Sequence, residues 1–285
     1  MDEAMATAQQ TAPQRPARPR WRLWELSKPL IGAFAGLVLV FLLLPAIVIV
    51  VISFSSAQYL TFPPPGWSLQ WYREFFSSQD WLTATVRSVQ IGLGTVALSL
   101  ALGVPLSFVL VRTQFRGKSL VDALVIAPMI LPAIILAIGD YLLFVRLKLV
   151  GTVWGLILGH TVIALPFMVI NVRATLRGVD PYLEKAASSL GANPLTVFRT
   201  ITLPLMMPGV ITGSLFAFIT SFDEVVIALF LSGPYTQTLP MRMWSGLRYE
   251  IEPTIAAVSS LLIMLAAILL TFIQFTRGRN TPETR

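Results

Sequence analysis

Residues 30–53 read LIGAFAGLVLVFLLLPAIVIVVIS, a run without one charged side chain. A hydrocarbon layer about 30 Å thick is crossed by roughly 20 apolar residues wound as a helix. Lipid offers nothing to a backbone N–H or C=O, so a crossing segment is either a helix or a strand of a closed barrel. Barrel strands alternate apolar and polar positions over about ten residues. This run is apolar at nearly every position, and it predicts a helix. Five more stretches are long enough: 86–111, 119–145, 150–172, 209–231 and 254–275. The expected fold class is an all-α membrane protein of six transmembrane helices.

Composition points the same way. Of 285 residues, 55% are hydrophobic and 12% charged, too few charges to cover a soluble domain of this size. With no cysteine and a single histidine, His160, the chain has no disulfide, thiol nucleophile, Cys-ligated zinc or His-rich metal centre to offer. No catalytic residue and no metal site are expected, since neither a nucleophile–base pair nor a ligand cluster is visible. The net charge of +7 raises nucleic acid as a partner. The basic residues, however, stand in short runs between apolar segments, the pattern of loops against an anionic membrane surface. Placing the N-terminus in the cytoplasm puts fifteen of the 21 Lys and Arg residues on that side. Both termini are therefore expected to be cytoplasmic.

Outside the membrane domain at 30–275, residues 1–29 read as a disordered cytoplasmic tail, and 276–285 as a second tail. Residues 21–28 have the pattern of a short interfacial helix. The apolar run after the first tail is too long for a cleavable signal and lacks a small-residue cleavage site. The first external loop carries Pro63, Pro64, Pro65 and Gly66, then Trp67, Trp71, Tyr72, Phe75 and Phe76. These aromatics fit an interfacial belt or contact with an external partner. Prolines recur inside the apolar stretches at 45, 105, 128, 132, 166 and 208, where they kink membrane helices.

The one long inside connection, 173–208, parses as two short helices. Asp180 is a good N-cap with Pro181 at the first helical position, and Gly191 fits a left-handed stop. Asn193 caps again, Pro194 starts the second helix and Pro204 follows its end. Ala186, Ala187 and Ser188 form a small face that lets a partner come close. Gly117-Lys118-Ser119 has the ending of a phosphate-binding loop, but the glycine required five positions earlier is Arg112.

The segment Glu184-Lys-Ala-Ala-Ser-Ser-Leu-Gly191, nine further residues, then Ile201-Thr-Leu203-Pro204 resembles the EAA loop of ABC importer permeases. That family's pattern is Glu-Ala-Ala, three residues, Gly, nine residues, Ile-x-Leu-Pro. Ala186, Ala187, Gly191, Ile201, Leu203 and Pro204 match. The motif's Glu falls on Lys185, with Glu184 one position earlier, and one helical step turns a side chain by about 100°. The resemblance covers about 30–275 and implies the type I ABC importer permease fold. It also implies that the loop couples to a cytoplasmic ATPase through Glu184, Lys185 and the matching residues. ATP would then be bound and hydrolysed by a separate chain, and this one would be no enzyme and hold no cofactor.

Acids inside a membrane are costly, about 2.5–3.5 kcal/mol each on insertion scales, and mark functional sites. Asp223 and Glu224 are expected deep in the fifth span and Asp140 in the outer part of the third. With Tyr141, Phe222, Tyr235 and Trp244 nearby they would line a path for an organic cation; the alternative is hydrogen bonding between helices or pairing with a partner chain. His160 reads as a packing residue or as a proton relay. The segment Ser221–Val226, with Phe230–Pro234, Thr238–Pro240 and Pro253–Ala256, resembles the second permease of spermidine/putrescine importers. That resemblance implies a polyamine-type substrate and a bacterial inner-membrane location. It further implies a homologous permease as heterodimer partner, two ATPase subunits and a periplasmic substrate-binding protein. A gradient-driven secondary transporter and an importer of a different small solute remain the competing readings.

Overall fold

The computed structural model describes residues 21–249 and 252–278, with side chains placed over 28–249, 252–268 and at 271. Most of both predicted tails (1–20 and 279–285) lies outside the described residues. The elements in chain order are α1 (Trp21–Ser53), α2 (Gln70–Ser77), α3 (Gln79–Arg112), α4 (Lys118–Ile130), α5 (Ala133–Arg146), α6 (Val153–Arg177), α7 (Pro181–Ser189) and α8 (Pro194–Val197). A π-helical turn (Phe198–Thr202) leads into α9 (Leu203–Phe222), followed by α10 (Val226–Leu231), α11 (Leu239–Tyr249) and α12 (Thr254–Gly278). Among the described residues there is no strand, only an isolated bridge between Ser55 and Trp67. The last residues of the segment read as a tail, from Trp21, are continuous with the first helix.

Four helical stretches are apolar and long enough to cross a bilayer: Lys28–Ser53, Gln79–Arg112, Val153–Arg177 and Pro194–Phe222. The stretch predicted as a single helix over 119–145 is broken instead: α4 and α5 meet at a bend of 109°. The cause is Pro132, which has no N–H to continue the ladder and drives the preceding residue out of the helical region. Leu131 accordingly has φ −73° and ψ 139°. In the sixth stretch α12 is helical, and the apolar part described, Thr254–Ile268, is shorter than a span.

The fifth stretch also needs correcting. It starts at Pro194, inside the predicted loop, and ends at Phe222 rather than 231. Pro204 does not end a helix. The turn before it is π-helical, with the Leu203 N–H reaching back five residues to the Phe198 carbonyl, so a residue lacking an N–H is absorbed at the start of α9. At the other end Asp223 is the C-cap of α9, and the Glu224 carboxylate accepts from the Ile227 N–H at 2.9 Å. These two acids stand at a helix break and not within a continuous span; there the Glu224 carboxylate satisfies a free N–H at the start of α10.

The centre of the molecule is a three-helix junction of α3, α6 and α9. Without a hydrophobic drive in lipid, membrane helices associate through small residues that bring backbones close. Gly209 and Gly213 of α9 do this against Asn171, Thr175 and Met168 of α6; Gly103 of α3 faces Met168 from the other side. Two apolar clusters fill the junction. One is built on Met168, Val172, Leu176, Met206 and Ala217 near the end that carries α7; the other is built on Ile91, Leu156, Ile157, Ile227 and Leu231.

The junction's polar groups bond to one another. His160 is fully buried; its Nδ1 lies 2.9 Å from Ser221 Oγ, and Ser221 in turn donates to Thr95 Oγ1 at 3.2 Å. One residue from each of the three helices thus meets in a single chain of hydrogen bonds, which favours the packing role for His160. At the far end of the bundle Trp81 donates to Glu252 at 3.1 Å and lies under Arg242, 5.4 Å from its ring centroid. Arg242 is 3.7 Å from Glu252, so α3, α11 and the connection leading into α12 are tied at one point.

Candidate functional site

The feature that stands apart from the bundle is α7. Its start is built as its residues dictate: Asp180 accepts from the Tyr182 N–H at 2.9 Å, and Pro181 opens the helix. Its stop is Gly191 at φ +89°, a left-handed conformation that costs other residues about 1–2 kcal/mol. Asn193 then caps α8, accepting from the Thr196 N–H at 2.8 Å. None of the nine residues of α7 is buried. Tyr182 is 72% exposed, Leu183 47%, Leu190 90% and Leu195 58%. The loop between the spans thus leaves several large apolar side chains uncovered.

A single carboxylate fixes α7 to the bundle. Glu184 Oε1 accepts from Arg112, at the end of α3, and from Thr202 Oγ1 in the π-helical turn, each at 3.0 Å. Arg112 also donates to the Val179 carbonyl at 3.0 Å. Both charged side chains are largely shielded, 13% and 18% exposed. A charge-assisted pair of this kind is worth more than a surface ion pair. The neighbouring Lys185 points elsewhere, its ammonium 5.1 Å from the Tyr182 ring centroid. A second pair, Arg173 with Asp122, ties α6 to α4 at the same end.

The matching residues fall into place around this joint. Ala186 is exposed and Ala187 half-buried on α7; Ile201 is half-buried in the π-helical turn. Leu203 packs on the Met206–Leu176–Val179 cluster, and Pro204 occupies the first turn of α9. Arg112 and Thr202, the partners of Glu184, were missed by reading the sequence. Arg112 is 72 positions from Glu184, and the sequence singled it out only as the residue that breaks a phosphate-loop pattern.

The acids of the second candidate region are less closely grouped. Asp223 is exposed and Glu224 half-buried, the latter capping α10. Asp140 is half-buried on α5, with Oδ2 lacking a hydrogen-bond partner. It lies against Gly159, where Ile227 and Leu231 of α10 also converge. Asp140 and the Glu224-capped helix therefore flank the same part of α6. Phe222 turns toward the Trp81–Leu239 cluster and stacks on Phe218 at 5.7 Å. Tyr141 and Trp244 are 39% and 45% exposed, and Tyr235 is 85% exposed. Among the described residues no hydrogen bond or ion pair joins any two of Asp140, Tyr141, Phe222, Asp223, Glu224 and Trp244.

Known proteins resemble this chain along most of its length. Residues 95–277 match the family described as binding-protein-dependent transport system inner membrane component. The chain is 31% identical to the spermidine/putrescine transport system permease protein PotC of Haemophilus influenzae, over 87% of this chain and 96% of that protein. It is 36% identical to the putrescine transport system permease protein PotI of Escherichia coli K12, over 78% and 82% respectively. In structure it is similar to a chain of a bacterial ABC transporter involved in the import of the acidic polysaccharide alginate. The TM-score is 0.72 at 19% identity, covering 91% of this chain and 99% of that one. This chain belongs to the family of inner-membrane components of binding-protein-dependent transport systems, and is a multi-pass permease subunit.

Proposed function

We propose that the chain is one of two permeases of an ATP-driven importer for polyamines or a closely related organic cation, with both termini in the cytoplasm. The observation that carries the coupling half of this reading is α7: a capped, unburied helix with exposed apolar side chains, held to α3 and α9 through Glu184. A short helix fastened this way passes a rigid-body push from a cytoplasmic ATPase into the membrane helices. The joint reaches two of the three central helices directly, and the third, α6, packs against both. The partners are a homologous permease, two ATPase subunits that bind and hydrolyse the ATP, and a periplasmic substrate-binding protein.

Polyamine specificity is supported by the relatives and by the chemistry of the acids. Asp140, Asp223 and Glu224 form no ion pair among the described residues, and carboxylates bordering a transport path favour an ammonium group. Replacing Asp223 with asparagine is expected to lower putrescine and spermidine uptake at least severalfold while leaving ATP hydrolysis in place. Unchanged uptake kinetics would take contact with the cation away from that acid.

The decisive experiment is uptake of labelled putrescine and spermidine into proteoliposomes that contain the assembled transporter and its binding protein, with and without ATP. ATP-dependent uptake establishes class and substrate together. Hydrolysis without polyamine uptake keeps the class and directs the search to another solute. Uptake driven by a proton gradient alone, with no ATPase bound, overturns the reading of α7 in favour of a secondary transporter.

A further inference from the structure

The charges around α7 have unequal fates. Glu184 is taken by Arg112 and Thr202, and Asp122 by Arg173. Asp180 gives its carboxylate to the helix start. On the same end of the molecule Arg116, Arg177, Lys185 and Arg199 are exposed, and none of them forms an ion pair among the described residues. The acids are thus spent internally while the bases face outward. What α7 offers a partner is a positive charge stacked on Tyr182, on a loop that also exposes Leu183, Leu190 and Leu195.

We propose that the ATPase cleft receiving α7 is acidic, and that Lys185 is the residue that selects it by pairing with a carboxylate there. The inference rests on the coupling role proposed above and adds the sign and position of the recognition. Docking covers Tyr182 and so removes water from the ammonium lying on it. An ammonium desolvated without a counter-charge costs several kcal/mol, whereas one meeting a carboxylate is compensated. Glu184 cannot play this part, because it is itself a carboxylate and its Oε1 is held by Arg112 and Thr202. An anionic lipid surface would also attract these bases. The small side chains Ala186, Ala187, Ser188 and Ser189, on a helix with no buried residue, instead suit the close approach of a firm protein groove.

The test uses the full transporter expressed with its ATPase and purified through the permease. ATPase retention is measured for wild type, Lys185→Glu, Lys185→Arg and Leu190→Asp, at low and high salt. Lys185→Glu is expected to reduce retention at least tenfold and Lys185→Arg to keep it, with wild-type retention weakening as salt rises. A Lys substitution at one acidic position of the cleft is expected to restore binding to Lys185→Glu. Wild-type retention by Lys185→Glu beside loss in Leu190→Asp overturns the acidic cleft and leaves the coupling role standing. Full retention by both variants overturns the coupling role as well. If Lys185→Glu keeps its ATPase but loses affinity for phosphatidylglycerol vesicles, the charge serves the membrane and the proposal fails.

Discussion

Replacing Gly209 with leucine is expected to remove most of the folded protein from the membrane fraction. A Cβ at this position would stand 2.4 Å from Thr175 Oγ1 and 2.6 Å from the Asn171 carbonyl oxygen. The threonine hydroxyl could rotate away, but the carbonyl belongs to the backbone of α6 and cannot. Overpacking a well-fitted site costs about 1–3 kcal/mol or more, and here the cost falls on the tightest helix pair of the bundle. For a domain of this size about 3 kcal/mol lowers Tm by roughly 6–12 °C. Thermal unfolding in detergent, followed by size exclusion, reads the effect directly. Gly139→Leu provides the contrast: nothing lies within 4 Å of a Cβ there, so its Tm should stay near that of the wild type. Equal stability of the two variants would mean that α6 and α9 do not approach as closely as described.

The second large effect belongs to Gly191. Tryptophan there should lower ATP-driven uptake to about a tenth or less, while ATP hydrolysis persists and the protein remains folded. Two costs act together: the left-handed backbone, about 1–2 kcal/mol for a bulky residue, and the indole itself, which enters open space beside Leu190. Asparagine separates them, since it tolerates φ near +89° and adds little bulk. Uptake per ATP hydrolysed should therefore be close to normal in Gly191→Asn and lost in Gly191→Trp. Normal coupling in the tryptophan variant would take the docking role away from this turn.

The membrane class and the local shape of the cytoplasmic loop were legible from the chain alone because both rest on short-range rules. Apolar length announces a span. Asp180, Pro181, Gly191 and Asn193 announce caps and stops, and they appear in the structure at those positions. What was not legible depended on geometry that composition cannot express. Pro132 was counted as a tolerable kink, yet it divides the third stretch by 109°, because a proline's effect depends on whether neighbouring helices hold the ladder together across it. Asp223 and Glu224 were placed deep in a span by hydropathy, which does not register the helix break at which Glu224 caps α10. The joint on Glu184 was hidden for a third reason. Its partners come from the far end of α3 and from a π-helical turn, neither of which leaves a periodic trace.

That π-helical turn sets a rule for the length of the loop. In an α-helix, removing one residue turns everything before it by about 100° and draws it in by about 1.5 Å. A π-turn is an α-helix carrying one residue too many. Loss of one residue from Phe198–Thr202 would therefore restore a regular α-helix with its flanks nearly in phase, whereas loss of a residue from the α-helical turns on either side would swing α7 to another side of α9, out of reach of Arg112. The nine positions between Gly191 and Ile201 act in this view as a gauge length. Apart from the cap residues Asn193 and Pro194, their number matters more than their side chains, because it sets where α7 meets Arg112.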